Sequence, residues 1–155
     1  MINEIFNFLD KENKTISFAE SCTGGALSSS LTMIPGASKV FLGSIVSYSS
    51  YSKQKLLDIE ESELDKYSAV SERVAIIMAE NIKKQLKSDY SISVTGNAGP
   101  SIDGEKSKVG DCYIAISSEN EIFCEKFSIN QSREDFIESA KNISFQLFYD
   151  KIILQ

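Results

Sequence analysis

Glu20-Ser21-Cys22-Thr23-Gly24-Gly25 sets a hydroxyl and a thiol beside two glycines, where a predicted strand gives way to a predicted helix. The first N–H groups of a helix lack intrahelical acceptors and point outward. With the helix dipole they favour an anion or a developing oxyanion. Gly24 and Gly25 let a ligand come close to the backbone, and Ser21 and Thr23 add hydroxyls. A plain capped turn has the same composition. Cys22 rivals Ser21 as a nucleophile, because a thiol at a helix N-terminus ionises more readily; buried, it is only a small hydrophobe. The run has neither GxGxxG nor the GK[ST] of a P-loop.

Two further stretches carry possible chemistry. Tyr48-Ser49-Ser50-Tyr51-Ser52-Lys53 begins where a predicted strand, Val40 to Tyr48, ends. Strand C-terminal ends border the crevice where open α/β sheets bind ligands. A lysine in a partly dry pocket can act as a base near neutral pH. A lysine in water is only a solvated charge, the expectation for Lys55. Val94-Thr95-Gly96-Asn97-Ala98-Gly99-Pro100 runs from a strand into a glycine-rich loop. Successive N–H groups in such a loop can form an anion-binding nest. The loop extends to about Lys108, long enough to act as a mobile cover for a ligand.

Histidine is absent. That removes every His-based triad, every His base and every His-ligated metal site. The cysteines are Cys22, Cys112 and Cys124, with no CxxC. They read as free thiols in a reducing cytosol, the last two as core residues of strands. The carboxylates are scattered over predicted helix faces, so no metal site is expected. A net charge of -6 and a pI of about 4.8 exclude a general nucleic-acid-coating protein. No run approaches the ~20 apolar residues of a membrane span, and the N-terminus does not read as a secretory signal. A cytoplasmic location is expected.

The elements that must position these residues follow from periodicity. The 155 residues, 42% hydrophobic, suit one domain over 1–155 with a core that needs no disulfide or metal. Ile2, Ile5, Phe6 and Leu9 predict a first helix. Thr15 to Ala19 predicts a strand, Ala26 to Thr32 a helix, Val40 to Tyr48 a buried strand and Ser50 to Ile59 a short helix. Ser71 caps a longer helix with Val74, Ile77, Met78, Ile82 and Leu86 inward. Tyr90 to Thr95 is a strand. Val109 to Ser117 and Glu121 to Ile129 form a hairpin. Ser132 caps a last helix with Phe136, Ile137, Ala140, Ile143, Leu147 and Phe148 inward. The fold class is α/β, a three-layer α/β/α sandwich whose mixed sheet is mostly parallel with at least one antiparallel pairing.

Taken in order, Ala19-Glu20-Ser21-Cys22-Thr23-Gly24-Gly25, Pro35-Gly36-Ala37-Ser38, Tyr48-Ser49 with Lys53, Ala69-Val70-Ser71-Glu72 and Val94-Thr95-Gly96-Asn97-Ala98-Gly99-Pro100 closely resemble the CinA C-terminal domain family. Val109-Gly110 before Tyr113-Ile114-Ala115, and Arg133, continue the match over nearly the whole chain. The resemblance implies hydrolysis of the carboxamide of nicotinamide mononucleotide to nicotinic acid mononucleotide and ammonia, without a cofactor. It implies Ser21 as nucleophile and Lys53 as its base. Thr23 then supports Ser21 or the oxyanion, and Tyr48 faces the pyridinium ring or orients Lys53. Cys22, Gly24, Gly25 and Ser49 fall to substrate binding. Thr95, Gly96, Asn97, Ala98 and Gly99 line the pocket through their backbone. Arg133 pairs with the 5′-phosphate. Glu20 either steadies Lys53 or binds the ribose. A homo-oligomer is expected, and neither nucleic acid nor membrane is a partner. The sequence departs from the family pattern where Ser50 replaces asparagine, Asn97 replaces isoleucine and Lys108 replaces proline, and in the loop Ser101-Ile102-Asp103-Gly104. Ser50 and Asn97 are expected near the ligand. The competing reading is a catalytically inactive nucleotide- or partner-binding module of the CinA type linked to competence.

Overall fold

The computed structural model describes residues 1–102 and 106–154. The helices are α1 (Ile2–Lys11), α2 (Ala26–Thr32), α3 (Ser50–Leu57), α4 (Glu61–Tyr67), α5 (Glu72–Leu86) and α6 (Arg133–Phe148). The strands are β1 (Ile16–Glu20), β2 (Phe41–Val46), β3 (Tyr90–Gly96), β4 (Asp111–Ser117) and β5 (Ile122–Ser128). A 3-10 turn covers Ala37–Lys39 and a π-helical turn covers Tyr149–Ile153. No helix among the described residues is long and apolar enough to cross a membrane.

The strands lie in the order β2-β1-β3-β4-β5. β1 pairs in parallel with both β2 and β3, while β3–β4 and β4–β5 are antiparallel. Only β4 therefore runs against the other four strands, although the ladders divide evenly between the two kinds. Helices cover both faces, giving the expected α/β/α sandwich with a mixed sheet.

Alternation along the strands builds two unlike faces. Ile16 and Phe18 of β1, Ile92 and Val94 of β3, and Cys112, Ile114 and Ile116 of β4 join α1, α2 and α6 in the larger apolar core. The opposite face is made of small and hydroxyl side chains. There Ser91 Oγ donates to Ala79 O at 2.6 Å, Ser93 Oγ to Ala75 O at 2.5 Å, and Thr95 Oγ1 to Ala69 O at 2.8 Å. These buried hydroxyls satisfy themselves on α5 and on the segment before it, so no polar group is stranded beneath the helix. Ala75 and Ala79 are consequently buried, whereas Ile77 and Leu86, expected inside, are half-buried at the margin. Small residues ride over the serines and the larger ones pack beside them.

Other differences from the sequence expectation have local causes. β2 is shorter than Val40 to Tyr48 and is not a buried strand. It is the sheet edge, with Leu42 and Val46 exposed. α4 was not expected, because a helix of 7 residues with Leu64 alone buried carries no period. Cys124 lies on the edge strand β5 and is half-buried rather than core. Burial, with Glu72 and Glu125 nearby, pushes its thiol up to about 12. Ser71 and Ser132 cap α5 and α6 as expected. Residues 103–105 of the loop expected to cover a ligand lie outside the described residues.

The start of β4 is fastened by Asp111. One carboxylate oxygen accepts Lys108 N–H at 3.0 Å, and the other meets Lys126 Nζ at 3.0 Å. Burial alone would raise this carboxyl. The Lys108 N–H and the Lys126 ammonium outweigh it and hold the group below its ordinary 3.8. A depressed folded-state value means stability present above the ordinary value and lost as pH falls through the folded one. Asp111→Asn should therefore cost about 1–2 kcal/mol near neutral pH, with the gap closing below pH ~3.8. Urea unfolding of both proteins across that range tests this, and a gap that does not change with pH refutes it.

Candidate active site

Three parallel strands run side by side to the site. Glu20 pairs in register with Val46 of β2 and with Val94 of β3. Ser21 and Ser47, just past the ends of β1 and β2, thus lie level with Thr95, which still pairs with Tyr113 of β4. Ser21 N–H donates to Val94 O at 2.9 Å and Ser47 N–H to Glu20 O at 2.8 Å, extending both ladders one step past the strands. Lys53 sits in the first turn of α3. Its Nζ donates to Ser21 Oγ at 2.8 Å and to Ser47 O at 2.8 Å. Lys53 is 2% exposed and Ser21 is 6% exposed. The point at which Lys53 leaves the backbone is set by a capping box. Ser49 Oγ accepts Ser52 N–H at 3.1 Å, and Ser52 Oγ accepts Ser49 N–H at 3.0 Å. The pair opens on a cavity of about 350 Å³, within the size range of small-molecule sites.

The helix N-terminus beside Ser21 is already occupied by the protein's own carboxylate. Glu20 is fully buried. It accepts the N–H groups of Gly25, Leu27 and Ser28 at 2.9–3.0 Å and the hydroxyls of Thr23 at 2.9 Å and Ser28 at 2.5 Å. Ser44 Oγ adds a longer contact at 3.4 Å. Glu20 is taken up by these donors and does not border the cavity. It ties the Ser21–Gly25 turn to α2. Thr23 and Gly25 serve the same anchor, and Gly24, exposed at φ 58°, lies outside the cavity. Gly24 N–H donates to Ser21 O at 3.1 Å. Among the described residues, the Cys22 and Thr23 N–H groups have no acceptor. Those two are the backbone donors of this turn left open to a ligand.

Cys22 lines the cavity, and its thiol lies beside that of Cys112. The neighbouring Cys22 thiol, with burial, pushes Cys112 well above the ordinary thiol range. The hydroxyl of Ser21 is the group that Lys53 Nζ meets at 2.8 Å. Thr95, Gly96, Asn97, Ala98 and Gly99 all border the cavity. Gly96 cannot be larger, since a Cβ there would stand 2.8 Å from Asp111 O and 2.9 Å from Phe136 Cζ. Arg133 lies at the mouth. One terminal nitrogen donates to Gly99 O at 2.7 Å and the other to the Tyr48 hydroxyl. A guanidinium has five N–H donors, so donors remain for an anion. Ser49 and Ser50 are helix-start residues and do not line the cavity.

Sequence reading missed Ser47, Ala69 and Val70. Ser47 contributes a backbone carbonyl, which leaves no mark on residue type. Ala69-Val70 border the cavity, and the only trace of this was their place in the resembled pattern.

Fold and site define a class: an α/β/α domain with a buried serine–lysine pair at the carboxyl ends of its parallel strands. A family model for the CinA C-terminal domain matches residues 1–152, and the chain belongs to that family. A CinA-like protein of Flavobacterium psychrophilum is 41% identical over 145 residues, which are 94% of this chain and 35% of that protein. The chain thus spans about a third of that relative's length. A competence-damaged protein (CinA) superfamily structure from Escherichia coli superposes with TM-score 0.90 at 26% identity, covering 94% of this chain and 84% of the other. The competence damage-inducible protein A from Klebsiella pneumoniae matches in fold, with TM-score 0.94 at 23% identity over 98% and 94% of the two chains.

Two substitutions separate anchor from bystander. Glu20→Ala strands several buried donors and should cost about 3 kcal/mol or more of unfolding free energy. Ser47 Oγ is buried without a partner among the described residues, so Ser47→Ala should cost nothing or stabilise by up to about 1 kcal/mol. Chemical denaturation of the two variants gives the comparison, and similar losses in both would contradict it.

Proposed function

We propose that the protein is an amidohydrolase that converts nicotinamide mononucleotide to nicotinic acid mononucleotide and ammonia. The observation that carries this reading is the 2.8 Å contact of the buried Lys53 amine with the Ser21 hydroxyl at the cavity floor. An unaided serine hydroxyl is a weak nucleophile. Without histidine in the chain, lysine is the base within reach. The Ser47 carbonyl holds the amine in place, so its lone pair can be directed at the hydroxyl.

In the proposed reaction Lys53 enters as the neutral amine. Ser21 Oγ attacks the carboxamide carbon while Lys53 takes the hydroxyl proton. The carbonyl oxygen becomes an oxyanion facing the Cys22 and Thr23 N–H groups, each such donor being worth roughly 3–4 kcal/mol in comparable sites. The Lys53 ammonium then protonates the carboxamide nitrogen, the C–N bond breaks and ammonia leaves. Water, deprotonated by Lys53, attacks the acyl-enzyme ester, and Ser21 departs with its proton restored. Arg133 takes the 5′-phosphate with the N–H groups that Tyr48 and Gly99 leave over. The fixed negative charge of the chain makes such a local cation necessary. A binding module would have no need for a buried amine aimed at a hydroxyl, which favours the enzyme over the competence-linked binding reading.

Ammonia release from nicotinamide mononucleotide tests the proposal. Wild type should turn over, and Ser21→Ala and Lys53→Ala should each lose at least about 10³-fold in rate, with unchanged circular dichroism. Absence of release by a folded wild type refutes the amidase. Release by Lys53→Ala at a near-normal rate removes the base.

A further inference from the structure

One buried polar side chain on the cavity wall has no task in this mechanism. Asn97 is 6% exposed and borders the cavity. Its backbone is locked on both sides. Asn97 N–H donates to Asp111 O at 2.8 Å, and Gly110 N–H donates to Asn97 O at 2.8 Å. Its side-chain Nδ2 donates to Ser107 Oγ at 2.5 Å, and Ser107 is itself buried. A primary amide offers two N–H donors and an oxygen with two lone pairs. Among the described residues, Asn97 uses one donor only. As a residue of the cavity wall, Asn97 has its remaining amide donor and acceptor open to whatever fills the cavity. Ser21 and Asn97 lie at the ends of adjacent strands, since Ser21 N–H is bonded to Val94 O, three residues before Asn97. Ser21 and Asn97 thus border the same cavity, within which a carboxamide at Ser21 Oγ would sit.

We propose that Asn97 is a specificity-determining residue. With Nδ2 committed to Ser107, Oδ1 accepts an N–H of the substrate's primary carboxamide and turns away the carboxylate formed from it. The inference rests on the amidase reading and deepens it. An acceptor at this point pairs with an amide –NH₂ and repels a carboxylate oxygen, so one contact both selects substrate and hastens loss of product. The isoleucine of the resembled motif can do neither.

The test uses Ser21→Ala as a host that binds without turnover, titrated calorimetrically with nicotinamide mononucleotide and with nicotinic acid mononucleotide. With Asn97 present the amide form binds more tightly. Asn97→Ile should weaken the amide form about tenfold, the worth of one hydrogen bond, without weakening the acid form. Asn97→Asp keeps an acceptor and can accept the Ser107 hydroxyl, so it should keep or increase the preference for the amide. Should Asn97→Ile not fold, Asn97→Asp decides alone. An affinity ratio unmoved in Asn97→Ile, or reversed in Asn97→Asp, overturns the assignment of Asn97 while leaving the amidase intact. Failure of both nucleotides to bind the Ser21→Ala host overturns the amidase reading and this inference with it.

Discussion

The Glu20 carboxylate is the constraint on which the site hangs. It is fully buried at the start of α2 and collects the N–H groups of Gly25, Leu27 and Ser28 with the hydroxyls of Thr23 and Ser28. A carboxylate in that position satisfies donors that a helix start otherwise leaves open, and it complements the helix dipole. A turn of Ser21-Cys22-Thr23-Gly24-Gly25 with two glycines would otherwise be free to move. Anchored on Glu20, it presents Ser21 Oγ at one place. Preorganisation of this kind is what a nucleophile and its oxyanion donors require.

The sheet supplies the second half of the geometry. Because β1 lies between β2 and β3, the carboxyl ends of three neighbouring parallel strands border one site, with β3 reaching two residues further than β1 and β2. One end carries the hydroxyl of Ser21, the next the carbonyl of Ser47 that holds Lys53, and the third opens into the Thr95–Gly99 wall. The two faces of the sheet differ in a way that serves this arrangement. Large apolar residues fill the α1, α2 and α6 side, while Ser91, Ser93 and Thr95 bond to carbonyls of α5 and of Ala69 on the other. The Thr95 bond draws Ala69-Val70 against the strand end, and so they become part of the cavity. Packing and site formation are linked here, since the Thr95 hydroxyl satisfied by Ala69 O also holds a wall of the cavity in place.

Much of this was legible in the residues. Sequence reading located each described strand and five of the six described helices, and Ser71 and Ser132 marked the starts of α5 and α6, because side-chain period and capping chemistry are local properties. It missed α4, whose 7 residues bury Leu64 alone. It also took β2 for a buried strand, because β-branched residues do not reveal whether a strand has one neighbour or two. The absence of histidine removed His-based catalysis, and the resemblance to the CinA C-terminal domain family then implied Ser21 as nucleophile and Lys53 as its base.

What the sequence by itself determined was therefore the menu: an α/β sandwich, two functional strand ends, and a nucleophile without a histidine. The tertiary structure decided the roles. Glu20, an apparent site residue, is consumed by six donors and becomes an anchor, while Ser47 and Ala69-Val70, without chemical distinction as residue types, become parts of the site. The physical reason is that a polar group's role depends on which donors and acceptors lie within about 3 Å of it. Those partners come from strands and helices tens of residues apart, set side by side only when the sheet has formed.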